Sequence, residues 1–95
     1  MSLPVCLQDI KDAARNLSPY VKHTPLLRAE KLDDPLGCQV YLKPECLQIT
    51  GSFKLRGATN KILSLTDEEK AKGIIASSSG NHAQGVAYAA RALGL

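Results

Sequence analysis

The run from Gly73 to Gly94 limits the possible folds of this chain more than any other stretch. Gly73-Ile74-Ile75-Ala76-Ser77 is short, apolar and opened by a glycine, the pattern of a buried strand. Ser78-Ser79-Gly80-Asn81 reads as a loop of turn residues. From His82 onward, Ala83, Val86, Ala87, Ala90 and Leu93 recur at helical spacing, and Gly94 supplies the stop. Gly85 and the alanines make this helix thin, suited to lying close on a sheet. Strand, small-residue loop and helix in that order form the first half of a βαβ unit, so the chain is expected to be of the α/β class.

The loop also carries chemistry. Ser77, Ser78 and Ser79 offer three hydroxyls, Asn81 an amide, and the backbone several free N–H groups at a helix N-terminus, where anions are favoured. A carboxylate or a phosphate fits such a turn, although Ser/Gly/Asn turns are also common as plain connections. The loop is not a nucleotide-hydrolase phosphate loop, because no Gly-Lys-Ser/Thr follows. It also lacks the two further glycines of a dinucleotide fingerprint.

A second stretch, Thr50-Gly51-Ser52-Phe53-Lys54-Leu55-Arg56-Gly57-Ala58, leads into a helix-compatible run through Ile62 and Leu65. Ser52 is a candidate N-cap, which puts Lys54 in the first turn. The helix N-terminus already carries partial positive charge, so a lysine there, beside apolar Phe53, is more readily a neutral amine and a nucleophile for carbonyls. The same residues also describe an ordinary surface lysine near a helix start. A nucleophilic lysine and an anion-binding loop about twenty-five residues apart are together what an amino-acid Schiff-base site requires.

The rest of the chain supplies a frame. Leu7, Ile10, Ala13, Ala14 and Leu17 repeat at helical spacing, predicting an amphipathic helix with an apolar packing face, ended by Ser18-Pro19. Asp33-Asp34-Pro35-Leu36-Gly37 reads as a loop, and Cys38 to Lys43 as a strand closed by Pro44. Thr66 and Glu69 form a capping-box pattern that starts a short helix ended by Gly73.

Composition excludes several classes. The net charge of +3 is mild, and Lys43, Lys54, Arg56 and Lys61 form no dense basic run with interleaved aromatics, so nucleic-acid binding is unsupported. Cys6, Cys38 and Cys46 are odd in number and widely spaced, and His23 and His82 lie far apart, so no metal site is expected and the thiols suit a reducing compartment. Charged residues come too early for a signal-peptide core, and nothing approaches a membrane-spanning run. The expected location is the cytoplasm.

Ser52-Phe53-Lys54-Leu55-Arg56-Gly57-Ala58 together with Ser78-Ser79-Gly80-Asn81-His82-Ala83-Gln84-Gly85 resembles the threonine/serine dehydratase and serine racemase family, fold-type-II enzymes dependent on pyridoxal phosphate. His23-Thr24-Pro25-Leu26 and Tyr41-Leu42-Lys43-Pro44-Glu45 match the family in order and spacing, and the resemblance runs from about Leu7 to Leu95. Relatives that make cysteine or threonine usually carry Lys-Asp-Arg and Asn-Thr where this chain has Lys54-Leu55-Arg56 and Asn81-His82, so the dehydratase/racemase branch fits better. Racemases activated by ATP carry Thr-Ser-Ser and Lys-Thr where this chain has Arg28-Ala29-Glu30 and Ile49-Thr50, which argues against that effector site.

The resemblance implies a parallel sheet flanked by helices, with residues 1–72 in the larger domain, 73–95 opening the smaller one, and the active site between them. It implies that Lys54 carries pyridoxal phosphate as a Schiff base and then acts as base at the substrate Cα. Phe53 would pack on the cofactor, Asn81 would hydrogen-bond its 3′ oxygen, and Ser78, Ser79, Gly80, Asn81 and His82 would hold the substrate carboxylate. The implied reaction is β-elimination from L-threonine or L-serine, giving a 2-oxo acid and ammonia. Ser79 keeps serine racemisation open as an alternative, because a serine there is the acid/base opposite the lysine in racemases. Homo-oligomers are usual in the family. Family members run well past the position of Leu95, so a chain ending there is expected to be inactive alone or to associate with other chains.

Overall fold

The computed structural model describes residues 2–95. Helix α1 spans Leu7–Leu17, where the Asp9 carboxylate accepts the Cys6 N–H at 2.7 Å and closes the first turn. Strand β1 (Leu27–Arg28), a 3-10 turn (Glu30–Leu32), helix α2 (Asp33–Leu36) and strand β2 (Tyr41–Leu42) follow. After a second 3-10 turn (Glu45–Leu47) come α3 (Lys54–Leu63), α4 (Asp67–Ala71) and α5 (Asn81–Ala92).

Helix α3 is the centre of the molecule, with α5 packed along it and α1 touching it from the other end of the chain. The core is the fully buried Leu55 with Ala58, Ile62 and Ala89, and Val21, Ile74, Val86, Ala90 and Leu93 close around it. Leu55, Ala58, Thr59 and Ile62 recur every three or four positions, so one face of α3 is buried along its length. Gly85 makes this pairing close. A Cβ placed there would lie 3.1 Å from the Lys54 carbonyl carbon and the Leu55 nitrogen, and 3.2 Å from the Lys54 oxygen. The thin helix therefore lies on another helix rather than on a sheet.

Several expectations give way. The expected parallel sheet is absent among the described residues, where the one sheet is two-stranded and antiparallel, pairing Leu27 with Leu42 and Arg28 with Tyr41. Gly73–Ser77 carries no assigned strand, and Ile75 is 98% exposed. Strand propensity needs a neighbouring strand to become a ladder, and none lies beside this run. The strand expected over Cys38–Lys43 shrinks to Tyr41–Leu42, and the expected loop at Asp33–Leu36 is a single helical turn closed by Gly37 at φ 64°. Asp33 bears on the short strand. Its carboxylate pairs with Arg28 and accepts the Val40 N–H at 2.9 Å, so that N–H goes to a side chain, while the Val40 oxygen still accepts the Ala29 N–H at 2.9 Å. The apolar stripe of α1 is a packing face only at Leu17, since Leu7 and Ile10 are exposed.

Other expectations hold. The Thr66–Glu69 capping box forms in both directions, with the Glu69 N–H donating to Thr66 Oγ1 and the Thr66 N–H donating to Glu69 Oε2. Gly73 and Gly94 adopt the left-handed conformations that end α4 and α5.

Candidate active site

Lys54 is the first residue of α3. Ser52 sits one residue too early to be the cap, because Phe53 takes that place; the buried Ser52 hydroxyl still accepts the Lys54 N–H, at 3.4 Å. The Lys54 side chain is exposed, with Nζ 5.3 Å from the centroid of the exposed Phe53 ring. A primary amine beside an accessible aromatic face suits a flat, carbonyl-bearing ligand.

The loop lies close by through the helix pairing. Asn81 opens α5, four residues before Gly85, so the N-terminus of α5 stands about 6 Å along its axis from the point pressed against Lys54. Helix α5 has no side-chain cap and no acidic residue in its first turn. Its leading N–H groups are therefore open to an anion. Ser78, Ser79, Gly80, Asn81 and His82 are all exposed, and Ser78 Oγ accepts the Gly80 N–H at 3.3 Å, which curls the loop over that end. Beside it is a cavity of about 490 Å³, with His82 at its edge and Ile62, Ile74, Ile75 and Val86 among its walls. Lys54 and the loop thus share one region through the Gly85 contact, but no hydrogen bond joins Lys54 to Ser79 or Asn81 among the described residues.

Sequence reasoning missed a polar network behind Lys54. Arg56 donates from Nε to Glu45 Oε2 and from one terminal nitrogen to Glu45 Oε1, both at 2.9 Å, a two-pronged ion pair. Thr24 Oγ1 donates to Glu45 Oε1 at 2.6 Å, and Gln48 Nε2 reaches Oε2 at 3.4 Å. Gln48 also accepts the Lys22 N–H at 2.8 Å and donates to the Lys22 oxygen at 2.9 Å, while Lys43 Nζ donates to the Thr24 oxygen at 2.9 Å. The Arg56 guanidinium, first among these causes, pulls the Glu45 carboxyl from its ordinary 4.5 down to about 2, against the opposing effect of desolvation. The network ties Thr24 and Lys43-Pro44-Glu45 to the Lys54 helix, and this gives both matching motifs a structural purpose. In the sequence the family motifs mark Thr24, Glu45 and Arg56 without joining them, and nothing local marks Gln48, which is buried while its neighbours Leu47 and Ile49 are exposed.

The chain belongs to the family described as pyridoxal-phosphate dependent enzyme, whose pattern matches residues 17–95. Within it, the biosynthetic L-threonine dehydratase of Mycobacterium leprae is 53% identical over 92 residues, which cover 97% of this chain and 22% of that protein. The threonine deaminase of T.th. superposes with a TM-score of 0.79 at 54% identity, covering 96% of this chain and 32% of that one. Maize serine racemase superposes with a TM-score of 0.85 at 40% identity, covering 98% and 29%. This chain therefore has the fold of one part of the fold-type-II enzymes and spans less than a third of these relatives' length. Among the described residues no helix is long and apolar enough to cross a membrane, and no cluster of His, Cys, Asp or Glu could hold a metal ion.

Proposed function

We propose that this chain forms the lysine-bearing part of a pyridoxal-phosphate-dependent dehydratase acting on L-threonine or L-serine, with a 2-oxo acid and ammonia as products. The observation that carries the reading is the uncapped N-terminus of α5, brought by Gly85 against the turn that bears Lys54. One exposed amine and one open anion site, on two helices that touch at Gly85, suit an amino-acid substrate and a cofactor with an aldehyde.

The residues divide the work as follows. Lys54 would hold the cofactor through Nζ and afterwards take the proton from the substrate Cα. Phe53 would pack against the cofactor ring, and Asn81 would hydrogen-bond its 3′ oxygen. Ser78, Ser79, Gly80, Asn81 and His82 would hold the substrate carboxylate with hydroxyl groups and helix N–H groups. When bound, pyridoxal phosphate supplies the electron sink that makes Cα–H cleavage accessible. In this reading residues 1–72 belong to the larger domain of the whole enzyme and 73–95 open the smaller one. The whole enzyme is a cytoplasmic homo-oligomer that binds neither nucleic acid nor membrane.

Ser79 supports a second reading, serine racemisation. Its hydroxyl is exposed in the loop, free to return a proton to the face of Cα opposite Lys54. The resemblance to maize serine racemase points the same way.

The test is an absorbance titration of the chain with pyridoxal phosphate beside Lys54→Ala. A visible band that disappears in the variant is expected. Identical spectra would overturn the proposal for this chain. In a chain that turns over serine, Ser79→Ala should reduce racemisation far more than elimination.

A further inference from the structure

We infer that Glu45 and Arg56 are positioning residues for Lys54: their two-pronged pair fixes the first turn of α3 so that the lysine is presented on the side away from the pair. The inference rests on the proposed role of Lys54 and gives a role to two motif residues to which the resemblance assigned none.

The geometry is specific. Positions 54 and 56 lie roughly 200° apart around a helix. Fastening the Arg56 side chain on one side therefore turns Lys54 to the other. Arg56 is fastened at both Glu45 oxygens and also reaches the Lys22 oxygen at 3.3 Å and Thr24 Oγ1 at 3.4 Å. These partners come from segments well before the helix in sequence, so they anchor it to the body of the protein rather than to itself. The fully buried Leu55 also anchors this turn, whose capping hydrogen bonds are weak. Its cap residue Phe53 makes no side-chain cap, and the Ser52 hydroxyl is at the limit of hydrogen-bond distance from the Lys54 nitrogen. The Arg56 N–H donates to the Phe53 oxygen at 3.1 Å, the bond expected to open first if the clamp is lost. Gly85 of α5 also lies against the Lys54 carbonyl, so the clamp and the helix contact both bear on this turn.

The test compares Glu45→Gln, Arg56→Lys and the unaltered chain by two readouts. The first is the Lys54-dependent visible absorbance with pyridoxal phosphate, titrated to give a Kd. The second is hydrogen exchange of the backbone amides at 55 and 56, which needs no cofactor. Arg56→Lys keeps the charge but cannot make two parallel bonds, so it separates orientation from simple charge pairing. Both variants should weaken cofactor capture roughly tenfold, because small displacements of a reacting group are costly. Both should also speed exchange at 55 and 56 by about tenfold over the rest of α3. An Arg56→Lys chain that matches the unaltered chain in Kd and exchange would overturn the inference. So would a loss of overall stability in both variants with Kd unchanged. Absence of the absorbance band even in the unaltered chain would count against the proposed function; unchanged exchange in that case would also overturn positioning, and selective opening at 55 and 56 would sustain it.

Discussion

The two stretches proposed to carry the chemistry are held in different ways. Around Lys54, the backbone is fixed by Glu45, Arg56, Thr24 and Gln48 on one side and by Leu55 and Gly85 on the other. From Gly73 to Gly80, Ile74 reaches the core while Ile75 stands in solvent, and the hydrogen bonds the segment donates are local, from Gly73 to the Lys70 oxygen and from Gly80 back to Ser78. One region has its geometry written into side chains from distant parts of this chain. The other takes its place from the helix that follows it. On the proposed reading, a reactive amine must be aimed, which is the part given to the network, whereas an anion site made of N–H groups needs only a helix end.

Shortening core and segment in parallel tests this contrast most severely. Leu55→Ala should destabilise the chain by about 2–5 kcal/mol, whereas Ile75→Ser should change stability by no more than about 0.5 kcal/mol. Urea unfolding of both variants decides it; a large loss at Ile75 would mean the segment is held by more than the structure gives it.

Acid should attack the clamp selectively. Glu45 has its folded pKa pulled to about 2 from an ordinary 4.5, so its stabilising contribution is complete above the ordinary value and drains away as pH falls through it toward the lower one. The Glu45 and Arg56 side chains retain 15% and 30% exposure, and with solvent screening the contribution is on the order of 2 kcal/mol. Glu45→Gln should flatten the acid limb of a stability-against-pH curve between those values. An unchanged limb would mean that other carboxylates dominate.

The smallest effects come from two glycines inside helices. Gly57→Ala meets nothing within 4 Å and should stabilise by about 0.5–1 kcal/mol through helix propensity. Gly85→Ala gains the same propensity but drives a methyl group against the Lys54 backbone, so a net loss of roughly 1 kcal/mol is expected. Equal gains at both sites, read from melting curves, would show that α5 can shift freely on α3.

What was legible in the sequence follows from distance along the chain. The Thr66–Glu69 capping box, the helix from Leu7 to Leu17, the helical start at Lys54 and the glycine stop at Gly94 are all local, and all form. The Gly73–Ser77 run has a strand's composition, but a strand is a relation between two segments and one run cannot declare its partner. The clamp was hidden for a related reason. Thr24 and Arg56 are 32 positions apart and Thr24 and Glu45 are 21, so no periodicity links them. The family motifs did mark Thr24, Glu45 and Arg56, although the fold was needed to join them to one another.

Gly85 sets the tolerance of the whole arrangement. With a hydrogen where every other residue has a carbon, α5 approaches the Lys54 carbonyl so closely that a Cβ would lie only 3.1–3.2 Å from that backbone. Any side chain at this position would have to push the loop-bearing helix and the lysine-bearing helix apart. One absent methyl group therefore sets how near the two helices can lie.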